Sequence, residues 1–240
     1  MPEPKPADVQ QLLHALLADP GRPRLTWYGA GHERIELSAK TLGNWVSKSA
    51  NLLVEELDAG PGTRVGISMP PHWRTVVWLL ATWSAGAHAV VIPPAGDVDV
   101  LITERPDSGV SQVSARAGAR LVAVALPGLA MRFDGDLPPG VIDAATEVRA
   151  MGDVFVAPFA PDPADLALSS RDQMIPYAGL LPETTLEQGT RLLTAAGPAQ
   201  AREAYLAPLI RDGSIVLHAG RQADEIERIA AQEETTATFP

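Results

Sequence analysis

The sequence predicts an α/β fold: two βαβ-type lobes with mostly parallel sheets, plus an N-terminal β-hairpin. Three observations carry this. Thr63 to Pro94 reads as strand, turn, helix, turn, strand. The alternation of strand and helix continues from there to Leu126. A second run of the same kind returns from Thr190 to Phe239.

In the central unit, Arg64 to Met69 is a short, mostly apolar run stopped by Pro70-Pro71. His72 to Ala85 is long enough for about four helical turns and is apolar over most of its surface. Gly86 follows, the residue preferred just past a helix end. Ala87 to Ile92 is a second apolar run. Two buried strands joined by a helix cross over right-handedly and lie parallel.

Ahead of this unit, Ala7 to Ala18 predicts a helix, with Val9, Leu12, Leu13, Leu16 and Leu17 at helical spacing on one face. Arg24 to Tyr28 and His32 to Leu37 predict strands paired as a hairpin around Gly29-Ala30-Gly31. Ser38 then stands as N-cap to a helix from Ala39 to Leu57. Behind the central unit, Asp97 to Thr103 predicts a strand, Ser108 to Ala117 a short helix ended by Gly118, and Arg120 to Leu126 another strand.

Pro127 to Pro163 is rich in proline, glycine and aspartate and reads as a crossing segment. It holds one short helix, Ala144 to Ala150 behind Asp143. The linear order thus divides into a first lobe (1–126), a crossing segment (127–165) and a second lobe (166–240). In the second lobe Leu166 to Leu168 predicts a strand, Ser170 to Glu183 is irregular, and Glu183 to Leu186 opens a helical turn. Arg191 to Ala195, Ser214 to Ala219 and Thr235 to Phe239 predict strands, separated by helices Ala199 to Arg211 and Ala223 to Glu233.

A chain of 240 residues buries enough surface to need no staples. The absence of cysteine excludes disulfides, thiolate metal sites and a thiol nucleophile. No run approaches the ~18 apolar residues of a membrane span, and Met1 to Pro6 lacks the apolar core of a signal peptide. These features predict a cytoplasmic protein. Net charge of −10 and pI near 4.9 argue against a nucleic-acid or anionic-membrane partner, which need clustered cations. The cations are sixteen arginines and three lysines (Lys5, Lys40, Lys48), so no lysine is present after Lys48.

Familiar site motifs are missing. Gly60-Pro61-Gly62 precedes a strand rather than a helix, and Gly29-Ala30-Gly31 joins two strands, so neither fits a phosphate-binding loop. His14, His32, His72, His88 and His218 show no metal-ligand spacing. His72, at the start of the central helix, suits a neutral ring capping backbone N–H groups. Trp83-Ser84-Ala85-Gly86 is a helix end, not a nucleophile elbow. Asp97/Asp99 and Glu233/Glu234 read as solvated element ends. Trp27, Trp45, Trp73, Trp78 and Trp83 read as packing residues.

The order of several segments does resemble a known family. Leu25-Thr26-Trp27-Tyr28, Glu36 to Leu42, Asn51-Leu52-Leu53, Gly60 to Ile67 and Ala85 to Pro93 are similar to the N-terminal part of the adenylate-forming superfamily, the acyl-CoA synthetases and related AMP-binding ligases. Leu206 to Gly220 and Ile226 to Pro240 continue the resemblance. It implies the fold of the acyl-CoA synthetase N-terminal domain. The family's phosphate loop, a Ser/Thr-Gly-rich stretch ending Pro-Lys-Gly, is expected near residues 168–182. Here the chain reads Leu168-Ser169-Ser170-Arg171-Asp172-Gln173-Met174-Ile175-Pro176-Tyr177-Ala178-Gly179, without the glycine core or the lysine. Later family motifs and the mobile domain with its catalytic lysine would lie beyond Pro240.

The expectation is therefore a truncated, degenerate relative: a non-catalytic binding or regulatory module with no catalytic residues, no metal and no required cofactor, acting on a protein partner or as a homodimer. An alternative keeps residual ATP, AMP, CoA-ester or carboxylate binding, alone or with a partner subunit. Its candidate contacts are Ser169, Ser170, Arg171, Thr238 and Phe239. A second alternative is an unrelated enzyme on an α/β scaffold.

Overall fold

The computed structural model describes residues 5–91, 97–107, 115–128 and 130–240. Its elements in chain order are α1 (Val9–Leu16), β1 (Pro23–Tyr28), β2 (Arg34–Ser38), α2 (Ala39–Asn51), β3 (Arg64–Ser68), α3 (Trp73–Ser84), β4 (His88–Val91), β5 (Val98–Thr103), β6 (Ala115–Ala123), β7 (Ile142–Asp143), α4 (Ala144–Ala150), β8 (Leu166–Ser169), β9 (Met174–Pro176), β10 (Arg191–Thr194), α5 (Ala207–Ile210), β11 (Ser214–His218), α6 (Ala223–Gln232) and β12 (Ala237–Phe239).

These elements form two compact units. One takes in Met1–Gly43, Pro70–Val76 and Leu181–Pro240; the other takes in Asn44–Met69 and Val77–Leu180. The first holds a sheet of order β12-β10-β11-β1-β2, parallel except for the β1–β2 hairpin. The second holds a sheet of order β7-β6-β5-β3-β4-β8-β9, parallel except for β8–β9. The fold class is the expected one. The hairpin β1–β2 shares its sheet with β10 to β12, and β8 and β9 join the sheet of β3 to β7, so each unit draws on segments distant in sequence.

The central unit forms as its pattern dictates. β3 lies parallel between β4 and β5, with Val65 and Ile67 fully buried; each such side chain contributes about 1.5–3 kcal/mol. α3 is apolar all round and is buried along its length, from Trp73 through Leu79 and Leu80 to Trp83. His72 Nδ1 accepts the Arg74 N–H at 3.0 Å, so the ring caps this helix. Gly86 takes φ +75° and turns the chain into β4. Trp83 donates Nε1–H to the Ala167 carbonyl at 2.9 Å, tying α3 to β8.

Caps set the other helix starts. Asp8 accepts the Gln11 N–H at 2.7 Å, Ser38 accepts that of Thr41 at 3.2 Å, and Asp143 accepts that of Ala145 at 2.9 Å. The crossing segment is fastened to α2: Asn51 donates to the carbonyls of Gly152 and Val154 at 2.9 and 3.0 Å, and Lys48 pairs with Asp153 at 2.9 Å.

Four expectations change. The helix predicted over Ser108 to Ala117 lies outside the described residues up to 114, and from Ala115 the chain is already β6. β6 reaches back through an irregularity near Gly118 (φ +89°) to pair with Val98, a feature invisible to periodicity. Ser170 to Glu183 contains β9 and a tight turn, Tyr177–Gly179. Glu183 to Leu186 is not helical, because Thr184 Oγ1 takes the Leu186 N–H at 3.2 Å and offers the backbone a local alternative. The helix predicted over Ala199 to Arg211 is divided into a 3₁₀ turn (Pro198–Gln200), a wide π turn (Arg202–Leu206) and α5. Pro208 has no N–H to donate back into the preceding turn, so the regular ladder cannot run through.

Gly213 connects α5 to β11 with its Cα against backbone: an added Cβ would stand 2.1 Å from the Thr190 carbonyl oxygen and 2.7 Å from that of Pro208. Gly43, inside α2, has open space around it. Gly213→Ala is expected to cost about 1–3 kcal/mol, whereas Gly43→Ala raises stability by up to about 1 kcal/mol. Urea unfolding of the two variants checks this; equal effects would contradict the packing at Gly213.

Candidate functional site

The segment expected to bind phosphate folds as a β-hairpin. β8 lies parallel to β4, and β9 returns antiparallel, with Ser169 opposite Met174. Only Ser170 to Gln173 remain to make the turn. The Ser170 N–H is taken by the Gln173 carbonyl at 3.0 Å. Arg171 and Asp172 are exposed, and the Asp172 carboxylate brings negative charge to the tip. A phosphate cradle needs several converging N–H groups and a positive field. This turn closes on itself and carries opposed charges.

Below the turn, the Ser169 hydroxyl stands 2.9 Å from His88 Nε2. Burial, with Arg64 beside the ring, lowers the His88 pKa and keeps the imidazole neutral near pH 7. A serine next to a neutral histidine has the first two members of a nucleophile–base pair, but a base is normally oriented by a carboxylate. The charged neighbour of His88 is a cation. Tyr177, after β9, donates to the Ala87 carbonyl at 2.7 Å. Burial, with Asp165 nearby, raises its pKa and holds it protonated. These polar groups fasten β4, β8 and β9 to one another.

Thr238 and Phe239 lie elsewhere, on β12 in the other unit, opposite Leu193 and Thr194. The structure therefore brings together Ser169, Ser170 and Arg171 and assigns the remaining two candidates to a different unit.

That other unit holds a cluster which no motif announced. Glu233, just past α6, is buried; Arg34 Nε reaches it at 2.9 Å, and Tyr28 and Arg191 bond it as well. Arg34 also bonds Glu36 at 2.6 Å. Arg191 bonds the Glu233 carbonyl at 2.7 Å, Ser214 Oγ at 3.0 Å and Thr26 Oγ1 at 3.1 Å. Burial pushes the Glu233 carboxyl up, but the bonds from Arg34, Tyr28 and Arg191 outweigh it and hold the pKa at about 2. Burial and Glu233 together raise the Tyr28 pKa. The sequence reading of Glu233 as a solvated helix end is thus corrected. Its partners lie up to 205 residues away, where spacing gives no signal. Asp99 is likewise bound, accepting the Arg64 N–H at 2.8 Å.

With this geometry in view, the relationships of the chain can be stated. The AMP-binding enzyme family model matches residues 14–173. The chain belongs to the AMP-binding enzyme family. The TIGR03089 family protein of Mycobacterium tuberculosis (strain ATCC 25618 / H37Rv) is 37% identical over 225 residues, covering 92% of this chain and 93% of that protein. Among solved structures, an acyl-CoA synthetase from Brucella canis is similar with a TM-score of 0.76 at 17% identity, over 96% of this chain and 46% of that one. Acetoacetyl-CoA synthetase from Streptomyces lividans gives 0.72 at 20% identity, over 96% and 41%. MatB from Rhodopseudomonas palustris gives 0.69 at 18%, over 97% and 48%. The chain spans less than half the length of these synthetases and shares their fold over that span. Membership sets aside the reading of an unrelated α/β enzyme.

The Glu233 cluster generates a pH prediction. A carboxyl whose folded pKa of about 2 lies below its ordinary 4.5 contributes stability that is present above pH 4.5 and lost as pH falls through about 2. Glu233→Gln leaves two arginines short of their partner and is expected to cost about 3 kcal/mol at pH 7, the low end for a buried pair because Arg34 keeps access to water. The gap between wild type and variant narrows as pH is lowered from about 4.5 to about 2 in urea unfolding. A gap independent of pH would remove the assignment.

Proposed function

We propose that this chain is a binding or regulatory module built on the adenylate-forming scaffold, and that it does not itself make an acyl-adenylate. The observation that carries this reading is the Ser170–Gln173 turn. Adenylation requires cations and backbone N–H groups aimed at a triphosphate, plus a held Mg²⁺, to stabilise charge developing in the transition state. The turn has its first N–H bonded internally, carries Asp172 and holds no lysine. Exposed Val154, Val156 and Phe159, at 77%, 79% and 67%, support a protein partner or a second copy as what the module engages. We place its action in the cytoplasm. Among the described residues, no helix is long and apolar enough to cross a membrane.

ATP–pyrophosphate exchange, measured with a panel of aliphatic and aromatic carboxylic acids, is expected to stay at the level of the protein-free control. Exchange with any of them sinks the proposal.

A second reading is supported by Arg171, an exposed cation beside Ser169 and Ser170: the chain binds an adenine nucleotide, acyl-CoA or carboxylate without activating it, alone or with a partner subunit. Thr238 and Phe239 are the further contacts of that reading. Calorimetry with ATP, AMP and CoA esters then shows binding that Arg171→Gln weakens about tenfold; absence of heat with all three overturns it.

A further inference from the structure

The sheet of the first unit ends, at the carboxyl termini of β1 and β11, beside a cleft of about 160 Å³. Tyr28 closes β1 and Arg34 opens β2; Arg221, Glu225, Arg228 and Gln232 line the cleft from the β11–α6 turn and from α6. Open α/β sheets place their ligands at this edge.

Three arginines and one glutamate line the cleft, and Glu233 and Glu36 are paired with Arg34. Glu225 answers its two neighbours poorly: Oε1 lies 3.3 Å from Arg221 and 3.8 Å from Arg228, beyond the ~2.8 Å of a charge-assisted bond. Arg221 is nonetheless only 14% exposed, and a largely desolvated cation calls for a close counter-charge. Arg34 is held on the other wall by Glu233 and Glu36, with its planar fork fixed in place. The start of the turn is fixed too, where the Arg221 N–H meets His218 Nδ1 at 3.4 Å and Gly220 takes φ +59°.

We infer that this cleft binds a phosphate-type anion, held by Arg221 and Arg228 with Arg34 on the facing wall. Guanidinium forks match tetrahedral oxyanions in geometry, and Arg221 has its carboxylate neighbour only at 3.3 Å. The volume is below the ~300 Å³ at which pockets for drug-sized molecules begin. One phosphoryl group with its remaining waters therefore enters, and the rest of any larger molecule stays outside. The site belongs to the unit that lacks the Ser170–Gln173 turn, so it stands or falls apart from the reading of that turn.

The test uses the full chain and inorganic phosphate, followed by calorimetry and ³¹P line broadening at fixed ionic strength. Sodium chloride and acetate serve as controls. Saturable one-to-one binding is expected for phosphate and not for the controls. Arg228 is 60% exposed, so Arg228→Gln keeps the fold; it weakens phosphate about tenfold. Glu225→Gln, which removes the competing carboxylate, tightens it, an effect that a purely structural role for Glu225 would not produce. Arg171→Gln changes nothing. ATP added as competitor separates the sources: displacement of phosphate identifies a site for the terminal phosphate of a larger molecule, and no displacement identifies a site for free phosphate. Lack of saturable phosphate binding, or the same affinity in wild type, Arg228→Gln and Glu225→Gln, overturns the inference.

Discussion

The first unit depends on one carboxylate. Glu233 lies just past α6 and receives Tyr28 from β1, Arg34 from β2 and Arg191 from β10. Three strands and the end of a helix meet at two oxygen atoms. A buried ion pair is weak evidence of net stability, since apolar residues of the same shape often do as well. What it supplies is position. β2 stands at the end of this sheet, paired with β1, and a one-residue slip would send Arg34 to the opposite face. The Arg34–Glu233 bond opposes that slip. The same bond sets the guanidinium on the wall of the neighbouring cleft, so the constraint that fixes the sheet also shapes its charged edge.

In the second unit the deciding quantity is chain length. β8 and β9 pair up to Ser169 and Met174, which leaves four residues to reverse direction. A hairpin that short takes up its own amide in closing, as the Ser170 N–H does with the Gln173 carbonyl. Nearby polar groups follow the same logic. Tyr177 reaches the Ala87 carbonyl, and Ser169 reaches His88, so β9 and β8 are each tied back toward β4.

Local physics made most of the fold legible in advance. The β3–α3–β4 unit, the β1–β2 hairpin, the caps Ser38 and Asp143 and the glycine after α3 all act within a few residues, and each left its mark in the sequence. Two of the misreadings have the opposite property. β6 begins at Ala115 because β5 is there to pair with it. β9 exists because β8 does. The break ahead of α5 follows from Pro208, a local signal outweighed by the apolar pattern around it. The site was less legible than the fold. Ser169, Ser170 and Arg171 are candidates by their position in a resemblance, whereas Glu233 and its arginines have no spacing to betray them. A carboxylate followed by another carboxylate looks solvated until strands from the far end of the chain are laid beside it.

The uneven choice of cations bears on that last point. The chain carries sixteen arginines against three lysines, and the fold uses the geometry of the guanidinium group. Arg191 contacts a carboxylate, a carbonyl and two hydroxyls from one planar group. Arg24, almost wholly buried, pairs with Asp212 at 2.6 Å while reaching the Asp212 and Gly213 carbonyls at 2.7 and 3.2 Å. A lysine at either place has a single nitrogen and no fork with which to reach several separated acceptors. Whatever supplied the arginines, the unit now relies on their geometry at Arg24, Arg34 and Arg191, and the cleft bordered by Arg221 and Arg228 extends the same chemistry to an edge open to solvent.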